Sequence, residues 1–239
     1  MPILTEINKV ENELIDKYRE LKVWDEMMRL DRERLARLVA KNYLYSSQFP
    51  NFLATAHKNA ITYPARVALE HIVRDENVPD EHLSIHTRLV NACEIDVSAI
   101  TREPHPPIER LVSRSMAMAN PKDERDELQL LCFFRLGSEI LTGFLYRALR
   151  ETVPVTFSLD EHACEFIELH AEHDCKSTDL GIMPGGTPDQ RGSYPHADRF
   201  NSPITSLSRS IGDDALALAQ SAFQEAYELR KEYVEYLVA

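Results

Sequence analysis

The stretch PKDERDELQLLCFFRLGSEILTGFLYRALRE, residues 121–151, decides the fold. Its apolar residues recur at three and four positions, the spacing of one helix face. It opens on Asp123, Glu124, Asp126 and Glu127 and closes on Arg147 and Arg150. That charge order suits the helix dipole, whose N–H groups crowd the first turn and whose carbonyls crowd the last. One residue is out of place. Glu139 stands in the most apolar part, and a carboxylate there is costly unless it is paired or holds a metal ion.

Helical periodicity continues on both sides of this stretch. Residues 10–28 and 32–57 repeat at three and four, with Pro50 expected to kink the second run. Pro64 stands at a favourable first-turn position for residues 64–77. Residues 79–93, 106–119, 158–180 and 213–237 complete the set, with Ser158 the expected N-cap of its helix. No run alternates in the way a strand requires. The expected fold is therefore all-α, a bundle of seven to eight helices. It is read as one domain over residues 1–239. Residues 181–203 stand apart, because they hold four of the chain's seven glycines and also Pro184, Pro188, Pro195 and Pro203. They are expected to form an irregular loop, either a lid or an inert insertion.

Composition excludes several functions. A net charge of -12 argues against nucleic-acid and anionic-membrane partners, which require clustered cations. No apolar run approaches the roughly 20 residues that span a bilayer, and no basic-then-apolar leader opens the chain. Cys93, Cys132, Cys164 and Cys175 form no Cys-x-x-Cys pair, so zinc-ribbon and thioredoxin readings fail. Scattered cysteines fit a reducing cytoplasm. The expected partner is a small-molecule substrate, and homodimerisation is left open.

Candidate chemistry lies on four helices. Asp75 and Glu76 end one, His82 and His86 lie one turn apart on the next, and Glu139 is buried in a third. The fourth carries FIELHAEHDCKS, residues 166–177, in which His170 and Asp174 share a helical face and Ser177 follows. Carboxylates and imidazoles from facing helices are what an iron or manganese site in a bundle core needs. Each residue also has a plainer reading. Asp75 and Glu76 suit a solvated helix end, and His82 with His86 suits an exposed pair.

The order of these blocks carries a resemblance. AKNYLYSSQFPNFLATAH (40–57), LEHIVRDENVPDEHLSIHTRLVNACEID (69–96), GSEILTGFLY (137–146) and FIELHAEHDCKS resemble, in order, motifs of the haem-oxygenase-like diiron oxidases and oxygenases. The resemblance implies a haem-oxygenase-like helical bundle that binds two Fe(II) ions and uses O2 on a small metabolite such as an amino acid or carboxylic acid. The activity would be biosynthetic. It places the first carboxylate ligand on Asp75 or the adjacent Glu76, the first His on His82 and the bridging carboxylate on Glu139. His170 and Asp174 take the last block. Ser177 stands where that block has a His. The second iron is thus expected to bind more weakly, near His170, unless His196 supplies the missing ligand, with Asp189 and Asp198 behind it. Alternatives are a mononuclear or metal-free member of the fold, such as a cofactor-free oxidase or a thiaminase-like enzyme with a Cys nucleophile, or an inactive binding protein. Arg135 or Arg147 are candidate holders of a substrate carboxylate. Tyr43, Tyr45, Phe49, Phe133, Phe134, Phe144 and Tyr146 are candidate pocket walls.

Overall fold

The computed structural model describes residues 3–76, 82–174 and 195–239, and no strand occurs among them. The first half comprises α1 (Ile3–Arg19), α2 (Val23–Met27), α3 (Arg32–Ser46), α4 (Phe49–Asn59), α5 (Tyr63–Asp75), α6 (His82–Ala92), α7 (Val97–Ile100) and α8 (Pro106–Met118). There follow α9 (Glu124–Phe133), a π-helical segment (Phe134–Ile140), α10 (Leu141–Phe157), α11 (Glu161–His173), α12 (His196–Arg199), α13 (Asn201–Ile211) and α14 (Ala215–Val238). The fold is all-helical as expected, and the described residues form about ten long helices, against an expected seven to eight.

Local chemistry explains the larger number. Pro50 does not kink one helix; α3 stops at Ser46, and Pro50 lies in the first turn of α4. The missing N–H costs nothing there, because first-turn donors have no helical partner. The expected irregular stretch 181–203 is corrected over its last part, since His196–Arg199 is helical and Pro203 falls in the first turn of α13. Residues 181–194, and with them the expected lid and Asp189, lie outside the described residues. Ser158 does not cap α11. It ends α10 in the left-handed conformation (φ 56°), and Asp160 caps α11 by accepting a 2.9 Å bond from Ala163 N.

The segment read first forms the axis of the bundle. Glu124–Phe157 is a continuous helical path, long and apolar enough to cross a membrane, yet 83% of its most apolar window is buried inside the protein. It packs against α11 and α14, and one buried apolar cluster extends from Ile7 to Val238.

Two buried ion sites tie the helices to this axis. Glu127 accepts bonds from Ile61 N (2.5 Å) and from Thr62 N and Oγ1, and so satisfies donors at the start of α5. Arg135, on the π segment, donates through Nε (2.6 Å) and Nη2 (3.1 Å) to the two carboxylate oxygens of Glu11 on α1. The same guanidinium donates to Ala197 O (2.5 Å) and Asn201 Oδ1 (2.7 Å), which fastens α12 and α13 to the core. Arg135 is thus fully engaged and is a strut rather than a substrate holder.

Candidate metal centre

The site is assembled where regular helices end or change pitch. α5 gives way at Glu76, and α6 begins at His82. On the central helix, the widened π turn buries all of Phe134–Ile140 and carries Glu139 into the interior. Thr142 Oγ1 donates to Gly137 O (3.1 Å), which satisfies a carbonyl within that turn. Such π bulges recur at functional sites because they re-aim one side chain within an otherwise regular helix. α11 ends at His173, and Asp174 leaves helical geometry (φ −83°, ψ 69°). Asp174 N still donates to His170 O (3.1 Å), so the two residues keep the one-turn spacing read from the sequence, and it is the ψ of Asp174 that departs from the helix.

Six buried side chains converge in two groups of three. Glu76, His82 and His170 form the first, and Glu139, Asp174 and His196 the second; within each group the potential ligand atoms lie within 4.8 Å of one another. Glu76 spans the two. Its Oε2 is hydrogen-bonded to His82 Nδ1 and lies 4.0 Å from His170 Nε2, while its Oε1 lies 3.8 Å from His196 Nδ1. His196 Nδ1 is also 3.1 Å from Glu139 Oε2 and 3.7 Å from Asp174 Oδ1. Glu76 thus approaches both groups, and Glu139, the residue expected to bridge, stands in the second.

Asp75 belongs to neither group. Its carboxylate accepts a 2.7 Å bond from Arg199 Nη2 and lies 3.8 Å from His196 Nε2. It helps to hold α12 over the site. Asp198 accepts a 3.4 Å contact from Asn201 instead of entering the cluster. Ser177 lies outside the described residues.

His82 and His86 are both buried rather than exposed. His86 stacks on Phe166 (3.8 Å between centroids) and shares a 2.7 Å hydrogen bond with Ser46 Oγ. Burial, helped by His82 and His170, holds its pKa well below the ordinary value, so it stays neutral. His170 donates Nδ1–H to Phe166 O (2.7 Å), which leaves the Nε2 lone pair facing Glu76. A ligand histidine is commonly oriented this way.

The electrostatics are those of a site short of positive charge. Burial raises the pKa of Asp174 well above the carboxylate range, with Glu139 and Glu76 adding to it against Arg230 and Arg147. Burial also raises Glu76, but the neighbouring His82, His170 and His196 prevail and bring it to about 2. Burial lowers His170 to about 3 despite Glu76. Burial opposes charge on His196, yet Glu139's hydrogen bond and charge, with Glu76 and Asp75, raise its pKa. Protons on Asp174 and His196 thus offset charge that divalent cations would offset better. Glu139 Oε1, His82 Nε2 and His196 Nε2 are buried without a hydrogen-bond partner among the described residues. Such orphaned atoms need an explanation, and a bound cation supplies one.

Gly143 makes the second group possible. A Cβ there would stand 1.7 Å from Asp174 O, so only glycine admits the turn that ends α11. Gly137 is less constrained, since its Cβ would meet Ala226 Cβ at 3.3 Å. Beside the two groups lies a narrow cavity, walled by Asn42, Tyr45, Ser46, Phe49, Ser138, Thr142, Tyr146 and Arg230 together with His82, His170 and Asp174. Of the expected aromatic walls, Tyr45, Phe49 and Tyr146 line it.

Arg230 was not among the sequence candidates. Its signal was present, since Ala226, Arg230, Tyr233, Val234 and Leu237 form one helical stripe with a cation on its apolar face.

Three solved structures share the fold over nearly the whole chain. A domain of unknown function with a heme oxygenase-like fold from Shewanella denitrificans matches with TM-score 0.66 and 11% identity, over 98% of this chain and 91% of that one. A TenA homologue from Pseudomonas syringae pv. tomato matches with TM-score 0.68 and 12% identity, over 99% and 90%. A TenA family transcription regulator from Silicibacter sp. TM1040 matches with TM-score 0.66 and 14% identity, over 98% and 96%. At these identities the likeness establishes a heme-oxygenase-like fold and leaves activity to the site. No protein-family model matches the chain, and no curated protein matches it by sequence.

Proposed function

We propose that the chain is a non-haem dinuclear iron protein that uses O2 to oxidise a small metabolite, with an amino acid or carboxylic acid as the substrate class. The observation that carries this reading is the pair of adjoining carboxylate–imidazole triads, buried and joined through Glu76. The donor set fits two divalent ions. Glu76, Glu139 and Asp174 bring three negative charges, Asp75 stands just outside, and mixed oxygen and imidazole ligands suit iron. Glu76, His82 and His170 would hold one ion and Glu139, Asp174 and His196 the other, with Glu76 shared. Bound iron would supply the reduction of O2, which amino-acid side chains cannot perform.

The chain's own residues supply the rest. Phe49, Phe166 and Tyr146 keep water from the groups, Phe166 O orients His170, and the Arg135 strut holds the helix that delivers His196. The thiaminase-like alternative needs a reactive thiol. Cys93, Cys132 and Cys164 are buried, and burial raises all three, Cys93 to about 12. No described cysteine is therefore poised as a nucleophile.

The test is anaerobic loading with ferrous iron, followed by O2 and a panel of amino acids and monocarboxylic acids. The expected result is O2 uptake faster than that of free ferrous iron, stimulated by a panel member and abolished when zinc replaces iron. Failure to bind iron, or uptake no faster than free iron, overturns the proposal.

A further inference from the structure

Arg230 differs from the other deeply buried arginine. Arg135 lies against Glu11 in a two-bond ion pair. Arg230, only 2% exposed, has no carboxylate within ion-pair distance among the described residues. Its Nη2 donates to Tyr45 Oη (3.0 Å), and the guanidinium lies 4.4 Å from the Tyr45 ring centroid and 5.4 Å from that of Tyr233. Nε has no partner. Cation–π contacts recover part of the cost of burying this charge and leave directional donors unused.

These donors border the cavity that leads to the two carboxylate–imidazole groups. Arg230 and Tyr45 form part of its wall, and His82, His170 and Asp174 form another part. The cavity's volume is about 20 Å³. It is a slot, with unhindered room for about one water molecule. An occupant larger than water must push wall side chains aside, so a slender one is favoured.

We propose that Arg230 is the docking residue for the carboxylate of a small monocarboxylic acid, which occupies this slot with its other end toward the paired groups. A guanidinium presents parallel N–H donors that match a carboxylate's two oxygens, and the buried charge gains its missing counterion. Charge selects the class. One guanidinium offsets one negative charge, and a second would stay buried without a counter-charge beside Arg230, so phosphate esters and dicarboxylates are disfavoured. Tyr45 positions the guanidinium from the ring side, so the open edge serves the ligand. The inference rests on the iron reading only for which end of the ligand reacts; docking itself needs the slot and Arg230.

The experiment measures binding, separately from O2 uptake. Zinc-loaded and metal-free protein are titrated calorimetrically with straight-chain monocarboxylates from acetate to octanoate, benzoate and the free amino acids. Each acid is paired with its neutral amide. At least one acid is expected to bind the parent protein at least tenfold tighter than its amide. Arg230→Gln should lose at least tenfold for that acid and little for the amide, and Arg230→Lys should fall between them, with iron stoichiometry unchanged in both. Equal binding of acid and amide, no binding by any acid, or undiminished binding by Arg230→Gln overturns the proposal. The acid–amide comparison is made on the parent protein, so it stands even where a variant fails to fold. Acid-selective binding in a protein that takes up no iron would overturn the iron reading and leave this one intact.

Discussion

The two triads are built differently. Glu76, His82 and His170 sit on or beside the ends of three ordinary α-helices, and the sequence resemblance points to His82, to His170 and to the Asp75–Glu76 pair. Glu139, Asp174 and His196 come from a π turn, the residue that caps the end of α11, and a four-residue helix held by side chains from elsewhere. The first group is a product of local sequence. The second depends on distant support: Glu11 through Arg135, Gly143 beneath Asp174, and Asp75 through Arg199. Residues far from the ligands should therefore disable the second group and spare the first.

The largest effect is expected at Glu11. Glu11→Ala leaves Arg135 buried without its counter-charge, which costs about 3–5 kcal/mol. Urea unfolding should show that loss, and the second group should lose metal affinity because Arg135 no longer fixes Ala197 and Asn201. A loss under about 1 kcal/mol would mean that water replaces Glu11, and the strut would lose its assigned importance.

A smaller effect is expected at the two glycines, and they sharpen the contrast. Gly143→Ala drives a Cβ into Asp174 O and should cost about 1–3 kcal/mol through backbone displacement. Metal in the second group should fall with it. Gly137→Ala meets only the Ala226 methyl at 3.3 Å and should cost less than Gly143→Ala in thermal unfolding. Equal costs would show that α11 can end in another way.

Most of the helices were legible, because a 3.6-residue period and Pro at first turns act locally. What sequence spacing misplaced was governed by tertiary contacts. The helix that carries His170 was expected to run to residue 180, yet α11 ends at His173, where Asp174 O packs over Gly143. The stretch from Pro195 to Pro203 read as irregular from its prolines, but Arg135 supplies the anchorage that allows short helices there. His196 was legible only as a nearby donor, and Glu76 was indistinguishable from Asp75 until the end of α5 fixed their directions. Glu139 and Arg230 obey one rule, a charge on an apolar helical face, and both were legible by it.

The central claim is two metal ions on two triads, and anaerobic ferrous titration with metal analysis after desalting tests it most directly. The parent chain should retain two irons. His196→Ala, whose removal leaves the helical core intact, should retain about one with little change in unfolding midpoint, and His82→Ala should also retain about one. A parent chain that binds one iron or none, or a His196→Ala chain that still holds two, would contradict the account.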